Sequence, residues 1–271
     1  KTHKERNITM ADSERLFAEE RQEKIIALLN ERRKLLIPEL CDIFAVSPAT
    51  IRNDLNELER QGRLQRTHGG AIALSKTGFE PNFQQKKIKN MEIKAAIAKA
   101  AAELVEDGDT IALDTGTTTL ALAQALTNKK NLTVVTNDIK IAALLDEQGD
   151  STVIILGGTL RRGFYCTVGP VVTENLRRFR VDKCFLATNG LTLRTGLTTP
   201  DIGHAEIKKA MADISSQVYV VCDSSKIGMD SFAFVLPLSA IDMVITDNRI
   251  DNEEKAALEQ ADVDLMLVEL P

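Results

Sequence analysis

The segment LIPELCDIFAVSPATIRNDLNELERQGRLQRTHGGAI, residues 36–72, decides how the chain is read. It predicts two short helices joined by a tight turn, followed by a small β-hairpin. Ser47 is an N-cap by type, because its hydroxyl can accept from an N–H left without a partner in the first helical turn. Pro48 follows at the first helical position, where its missing N–H costs nothing. Ile51, Leu55 and Leu58 then recur at i, i+4 and i+7, an apolar stripe that has to face a core. The other side of the same wheel carries Ala49, Asn53, Asn56 and Arg60, with Arg52 at its margin. Gly62 is placed to end the helix. Residues 63–67 read as a strand that Gly69-Gly70 turns back, a wing.

An open helix face of small, amide and guanidinium side chains suits the major groove of DNA. Asn pairs with adenine and Arg with guanine through two hydrogen bonds each, and a small Ala lets the backbone come close. Arg66 and His68 fall on the wing, near phosphates. The candidate DNA contacts are Ser47, Ala49, Thr50, Arg52, Asn53, Asn56, Arg66 and His68. The plainer alternative is a two-helix piece of an ordinary core with a solvated polar face. Cap, stripe, stop and basic wing in one ordered run favour the first.

At 271 residues the chain has room for two domains, taking about 100–200 residues for each. Hydrophobic residues at 44% and charged residues at 27% describe a globular protein. No run approaches the roughly 18 apolar residues of a membrane span, and no signal-peptide core opens the sequence. The expected location is cytoplasmic. Cys41, Cys166, Cys184 and Cys222 are too scattered for a zinc site or a disulfide framework. His3, His68 and His204 are equally dispersed, so neither metal nor cofactor is expected. The net charge of −5 divides unevenly. Residues 1–92 carry 17 Lys and Arg against 14 Asp and Glu, and residues 93–271 carry 17 against 25. A mildly basic reader on an acidic body is compatible with DNA binding, which depends on local patches.

The chain is read as a DNA-binding domain over 14–74, a linker over 75–90 and an α/β domain over 91–271. Residues 1–12 are polar and patternless, and 14–29 suggest a helix behind the reader. The linker (SKTGFEPNFQQKKIKN) carries Gly, Pro and a lysine cluster that could touch DNA backbone, although a solvated connector is favoured. Beyond it, short apolar runs at 110–113, 132–135, 152–156, 184–187, 218–222, 243–245 and 264–268 alternate with helical patterns. That alternation argues for a parallel sheet covered on both faces.

In open α/β sheets, ligands bind at the carboxyl ends of the strands. Those ends carry Asp114, Gly116, Thr117, Thr118 and Thr119, then Thr136 and Asn137, then Gly157, Gly158 and Arg161. Asn189, Asp223 and Lys226 follow. The GTTT turn offers free backbone N–H groups, three hydroxyls and a helix N-terminus, which together suit a phosphate. Neither the Walker spacing nor a dinucleotide glycine motif is present. Arg161 (or Arg162), Lys208 and Lys226 are candidates to neutralise a phosphate. Asp114, Glu206 and Asp223 are candidates to accept from sugar hydroxyls. Surface salt bridges, helix caps and structural ion pairs are the alternatives for these residues.

Leu40, Ser47, the run Thr50-Ile51-Arg52-Asn53-Asp54-Leu55, Leu58-Glu59, Gly62, Arg66 and His68-Gly69-Gly70-Ala71 resemble the winged helix-turn-helix signature of the DeoR family of bacterial transcription regulators. The family commonly has Arg where Asn53 stands, so operator preference does not carry over. Asp114 with Gly116-Thr117-Thr118-Thr119, Thr136-Asn137, Gly157-Gly158 with Arg161, Asp182 with Phe185, Gly196, Glu206 with Lys208, Asp223-Ser224-Ser225-Lys226 and Thr246-Asp247 resemble that family's effector domain. The resemblance implies a small winged helix-turn-helix domain followed by a larger Rossmann-like domain similar in fold to ribose-5-phosphate isomerase. It also implies a repressor of a sugar or carbohydrate-utilisation operon, bound to a double-stranded DNA operator as a homodimer or homotetramer. A phosphorylated sugar would be its effector, with the phosphate at residues 116–119. The isomerase carries a catalytic Asp-Gly-Ala-Asp segment where this chain offers Ala187-Thr188-Asn189-Gly190. Moving a proton between sugar carbons needs a carboxylate base, so the alternative of an isomerase with a DNA-binding appendage is disfavoured. A helix-turn-helix serving protein contact is the third reading.

Overall fold

Ile51, Leu55 and Leu58 are shut off from solvent on one face of a helix, and the first of two units is built around them. The computed structural model describes residues 17–32, 34–61, 63–67, 69–73 and 80–269, divided between a unit at 1–75 and one at 76–271. The first unit runs through α1 (Ala18–Arg32), β1 (Lys34–Leu36), α2 (Ile37–Phe44), α3 (Pro48–Arg60), β2 (Leu64–Thr67) and β3 (Gly70–Ala73). Its strands form an antiparallel sheet in the order β1-β3-β2. Ile25 and Leu29 of α1 and Leu40 of α2 complete the core with the α3 stripe. Gly70 is required by close approach, since a Cβ there would strike the Leu35 carbonyl. Ser47 caps α3 as its type predicts, accepting from the Thr50 N–H at 3.2 Å. The C-cap of α3 is Gln61, and Gly62 lies outside the described residues.

One residue of α3 has a role that the periodicity does not reveal. Asp54 is only 4% exposed and receives two nitrogens of Arg21 from α1, at 2.5 and 3.0 Å. Gln22 adds a third contact at 3.3 Å. A charge pair out of water therefore pins α1 to α3.

The second unit opens with α4 (Phe83–Lys87) and α5 (Met91–Glu103), then β4 (Thr110–Leu113), α6 (Thr117–Ala125), β5 (Lys130–Thr136), α7 (Ile139–Gln148) and β6 (Asp150–Ile155). A hairpin of β7 (Thr159–Arg161) and β8 (Cys166–Val168) leads to α8 (Pro170–Leu176) and β9 (Val181–Ala187). Next come β10 (Gly190–Thr192), β11 (Gly196–Thr199), α9 (Ile202–Asp213), β12 (Ser215–Val221) and β13 (Ala233–Leu236). The unit closes with β14 (Met243–Asp247), α10 (Asn252–Gln260) and β15 (Asp264–Val268).

Seven strands pair in parallel in the order β15-β14-β12-β9-β4-β5-β6. The pleat sends Ile111 and Leu113 of β4 to one face and Ala112 to the other, and all three are buried. Ile97, Leu122 and Ile141 from α5, α6 and α7 pack on the first face. Leu176, Met211 and Leu258 from α8, α9 and α10 pack on the second. Burial on both faces is why these strands read as short unbroken apolar runs. The β7-β8 hairpin and the antiparallel β10-β11-β13 sheet are additions that the sequence pattern does not signal.

Residues 80–90 correct the expectation of a solvated linker. Asn82 and Gln85 exchange capping bonds at 2.9 and 3.0 Å and start α4. Phe83 is 3% exposed, and its N–H donates to the Gly163 carbonyl at 3.2 Å. Lys94 donates to the carbonyls of Lys86 and Lys89, both at 2.6 Å. Lys86 of this segment pairs with Glu80 at 2.5 Å, while Lys87 is exposed. Residues 75–79 lie outside the described residues.

Asp54→Ala removes the carboxylate that receives two nitrogens of the buried Arg21 guanidinium, and breaking a buried pair from one side should cost about 3–5 kcal/mol. That is a large part of the stability of so small a unit. Calorimetry of the full chain should show the transition of the first unit shifted down or lost, with that of the second unit unchanged.

Candidate functional site

On the reader, Ala49, Arg52, Asn53 and Asn56 are exposed on α3, opposite the buried stripe. Thr50 is half-buried and belongs to the cap, its hydroxyl 2.9 Å from that of Ser47. Arg66 of β2 donates to the side-chain oxygen of Asn56, and its N–H donates to Glu59 at 2.8 Å. Wing and helix thus share two polar contacts, and Asn56 is less free than the helical wheel suggests. Among the described residues, no hydrogen bond or ion pair holds the side chains of Arg52 and Asn53. His68 lies outside the described residues.

In the second unit, β4 and β9 are neighbours, yet the chain leaves β4 toward β5 and β9 toward β12. Strand order reverses between them, and the crevice outside the carboxyl ends at such a point is where open α/β sheets bind ligands. Asp114, just past β4, is 1% exposed and pairs with Lys208 of α9, itself 3% exposed. Asp114 also accepts from the Ala187 N–H at 3.0 Å, and Lys208 donates to the Ala187 carbonyl at 2.8 Å. These two candidates satisfy each other first.

Gly116 precedes α6, and no side chain caps that helix. The first N–H groups of α6 have no intrahelical partner, so residues 117–119 present donors at the positive end of a helix dipole. Thr118 and Thr119 are buried, and Thr119 donates back to the Gly116 carbonyl at 3.1 Å. A Cβ on Gly116 would stand 3.0 Å from that of Ala187, so the turn is tight against the end of β9. Beside α6 runs a groove of 510 Å³ lined by Thr117, Lys87, Lys94, Gln124, Lys140 and Glu147. Of the candidate residues it contains Thr117 alone.

The remaining candidates scatter more widely. Thr136, the last residue of β5, and Asn137 after it are fully buried, and Thr136 accepts from the Asp138 N–H at 3.1 Å. Asn137 donates to the Thr167 carbonyl at 2.8 Å, while its own side-chain oxygen is buried with no donor among the described residues. Asn189 accepts from the Thr199 hydroxyl at 3.1 Å. Asp223 is buried and accepts from Asn90 at 3.0 Å and from the Ser225 hydroxyl. Lys226 is half-buried, with no ion pair or side-chain hydrogen bond among the described residues. Gly157 and Gly158 are exposed beyond the edge strand β6. Glu206 is the clearest departure. His204 and Lys208 lie one turn apart on the buried side of α9, which leaves Glu206 on the exposed side, away from the crevice.

Arg161 anchors a group of residues that sequence reasoning missed. Its guanidinium lies 2.7 Å from Glu80, 3.4 Å from Asp201 and 3.4 Å from the Nδ1 of His204, and it stacks 3.8 Å above the Phe164 ring. Glu80 also meets Lys86 at 2.5 Å. Burial pushes the Glu80 carboxyl up, but Lys86 and Arg161 outweigh it and hold it at about 2. Burial lowers Lys86, Glu80 raises it, and the charges of Lys208 and Lys226 lower it further. Burial, with Lys226 and Lys86 adding repulsion against Asp223, brings Lys94 down to about 8. Four ammonium groups and one guanidinium therefore converge at one end of the sheet. The available signal was the Asn82/Gln85 capping spacing, which marks a helix where a linker was read.

Residues 89–248 match the DeoR C terminal sensor domain, and residues 21–77 match the DeoR-like helix-turn-helix domain. The chain belongs to the DeoR family. It is 37% identical to the HTH-type transcriptional regulator GlpR of Haloferax volcanii, over 90% of this chain and 95% of that one. It is 38% identical to the HTH-type transcriptional regulator GolR of Listeria innocua, over 87% and 93% of the two chains. A putative aga operon transcriptional repressor of Escherichia coli O157:H7 is 32% identical over 92% and 93%. This DeoR-family chain is therefore a DNA-binding transcription regulator with a sensor domain, and not an enzyme. A ribose 5-phosphate isomerase from Methanocaldococcus jannaschii superposes with a TM-score of 0.39 and 20% identity, over 51% of this chain and 55% of that one. At that distance the likeness says nothing of activity. Among the described residues no helix is long and apolar enough to cross a membrane, and no cluster of His, Cys, Asp and Glu is arranged to hold a metal.

His204 is 4% exposed, and burial, reinforced by Lys208 and Arg161, lowers its imidazole from 6.5 to about 4. The folded state therefore holds it neutral while the unfolded chain takes up a proton. Stability should be complete above pH 6.5 and fall by about 3 kcal/mol as the pH drops toward 4. Urea titrations across pH 4.5–7.5 should show this slope, and His204→Asn should flatten it.

Proposed function

We propose that this regulator represses a sugar or carbohydrate-utilisation operon and is controlled by a phosphorylated sugar bound at the strand-order reversal of the sensor domain. The observation that carries the reading is the uncapped N-terminus of α6 at the end of β4, in the same domain as the cationic cluster of Lys86, Arg161, Lys208 and Lys226. Backbone N–H groups and fixed cations are the two devices by which proteins hold phosphate. The adjoining acids and amides suit sugar hydroxyls. One relative's name, a repressor of the aga operon, agrees with the regulatory class. On the reader, Arg52 and Asn53 are proposed to read bases. Ser47, Ala49, Thr50, Asn56, Arg66 and His68 shape and anchor the contact. Two half-sites read together require at least a dimer, so the working form is a homodimer or homotetramer in the cytoplasm.

The effector acts by binding two arrangements of the protein with different affinity. A thermal-shift screen of sugar phosphates, each beside its unphosphorylated sugar, tests the pocket, because a ligand of the native state must raise Tm. One phosphosugar is expected to shift Tm while its parent sugar does not. Silence across the panel would remove the phosphate reading.

Separate sites also predict separable variants. Arg52→Ala should weaken operator binding by about 1–3 kcal/mol in gel retardation while leaving the ligand-induced shift intact. Thr117→Val should keep operator binding and blunt the ligand response. Equal damage to both activities by either variant would argue against the division.

A further inference from the structure

The groups a sugar phosphate would need are shut in. Asp114, Asn137, Lys208 and Asp223 are each under 5% exposed. Besides the two bonds from Lys94 to the carbonyls of Lys86 and Lys89, residues 80–90 are fastened across this end of the domain by further ties. The Glu80 carboxylate is bound to Arg161 at 2.7 Å. The Phe83 N–H meets the Gly163 carbonyl, and its ring sits edge-on to Tyr165 with centroids 5.3 Å apart. The Asn90 amide donates to Asp223 at 3.0 Å. Of these ties, only that of Glu80 to Arg161 joins full charges.

The Glu80 side chain is 6% exposed and places one oxygen on Lys86 and the other on Arg161. That is the arrangement in which a phosphate takes two cations. Asp114 is matched by Lys208, whereas Lys226 has no ion-pair partner among the described residues. Lys86 is close enough to Lys208 and Lys226 to be destabilised by both. Arg161 also meets Asp201 at 3.4 Å and Asp223 offsets charge at Lys94, but Glu80 is the carboxylate shared between two of these cations. A phosphate ester carries about −1.5 to −2 charges at pH 7 and three acceptor oxygens.

Building on the phosphosugar reading, we propose that Glu80 is the built-in occupant of the anion seat. An entering phosphate takes Lys86 and Arg161 from it and thereby frees residues 80–87. Displaced into water, Glu80 gives up the stabilisation that holds its carboxyl at about 2, so only a stronger anion can replace it. The cations gain a partner with more charge and more acceptors. The freed residues lie at the start of the sensor unit.

The experiment is a comparison of wild type and Glu80→Gln, full length, with inorganic phosphate and then sugar phosphates as probes at fixed ionic strength. Glutamine keeps the shape and removes the competing charge. Half-saturation by phosphate in thermal shift is expected at a several-fold lower concentration in Glu80→Gln. In wild type, phosphate should speed amide hydrogen exchange at residues 80–87, a readout that needs no variant. Equal affinity of the two proteins, with exchange at 80–87 unchanged by a ligand that does bind, would overturn the role of Glu80 and leave the phosphosugar reading standing. No response of either protein to phosphate or to any sugar phosphate would overturn both.

Discussion

Asp114 and Lys208 are opposite charges held out of water together, and the sensor end of this regulator depends on their meeting. Neither tolerates burial alone, since an unpaired ion in a protein interior costs several kcal/mol. Their union, with the bonds each makes to Ala187, ties the end of β4, the end of β9 and the middle of α9 into one joint. That joint sits where strand order reverses, so it fixes the walls of the crevice. It also explains why Gly116 must be small. The turn into α6 is pressed against Ala187, which the same pair holds in place.

Around this joint the charges are arranged in layers of increasing freedom. Asp114 and Lys208 satisfy each other, Glu80 is shared between Lys86 and Arg161, and Lys226 stands without an ion pair among the described residues. His204 is kept neutral between Arg161 and the Cys166 thiol, 3.2 Å from the latter, which adds no further positive charge to a crowded place. Anion chemistry at such a site is a matter of which carboxylate is easiest to replace. The one proposed to give way is Glu80, which Lys86 and Arg161 share.

The reader is organised differently. One buried pair, Arg21 with Asp54, and one apolar stripe orient α3, and its outer face is left almost unengaged. A surface that reads bases has to keep its donors and acceptors uncommitted until DNA arrives. Arg52 and Asn53 meet that condition, whereas Asn56 is partly spent on holding the wing through Arg66.

Much of this was legible in the chain itself because it is local. The cap at Ser47, the stripe of α3 and the apolar runs of β4 and β15 are set by residues a few positions apart. Periodicity and propensity report on that range. Polar turns after apolar runs likewise mark the carboxyl ends of the strands directly. The sequence could not assign partners to charges. Arg21 finds Asp54 across 33 positions, Arg161 finds Glu80 across 81, and Lys208 finds Asp114 across 94. Nothing local distinguishes a lysine that will meet a ligand from one that will meet an aspartate, or Glu206 on the outside of α9 from Glu80 in the anion seat. The chain by itself determined the reader's helices and the strands of the parallel sheet, but not α4, the β7-β8 hairpin or the β10-β11-β13 sheet. Only the tertiary structure decided which charge answers which, because an ion's energy depends on distance and burial, and the fold alone sets both.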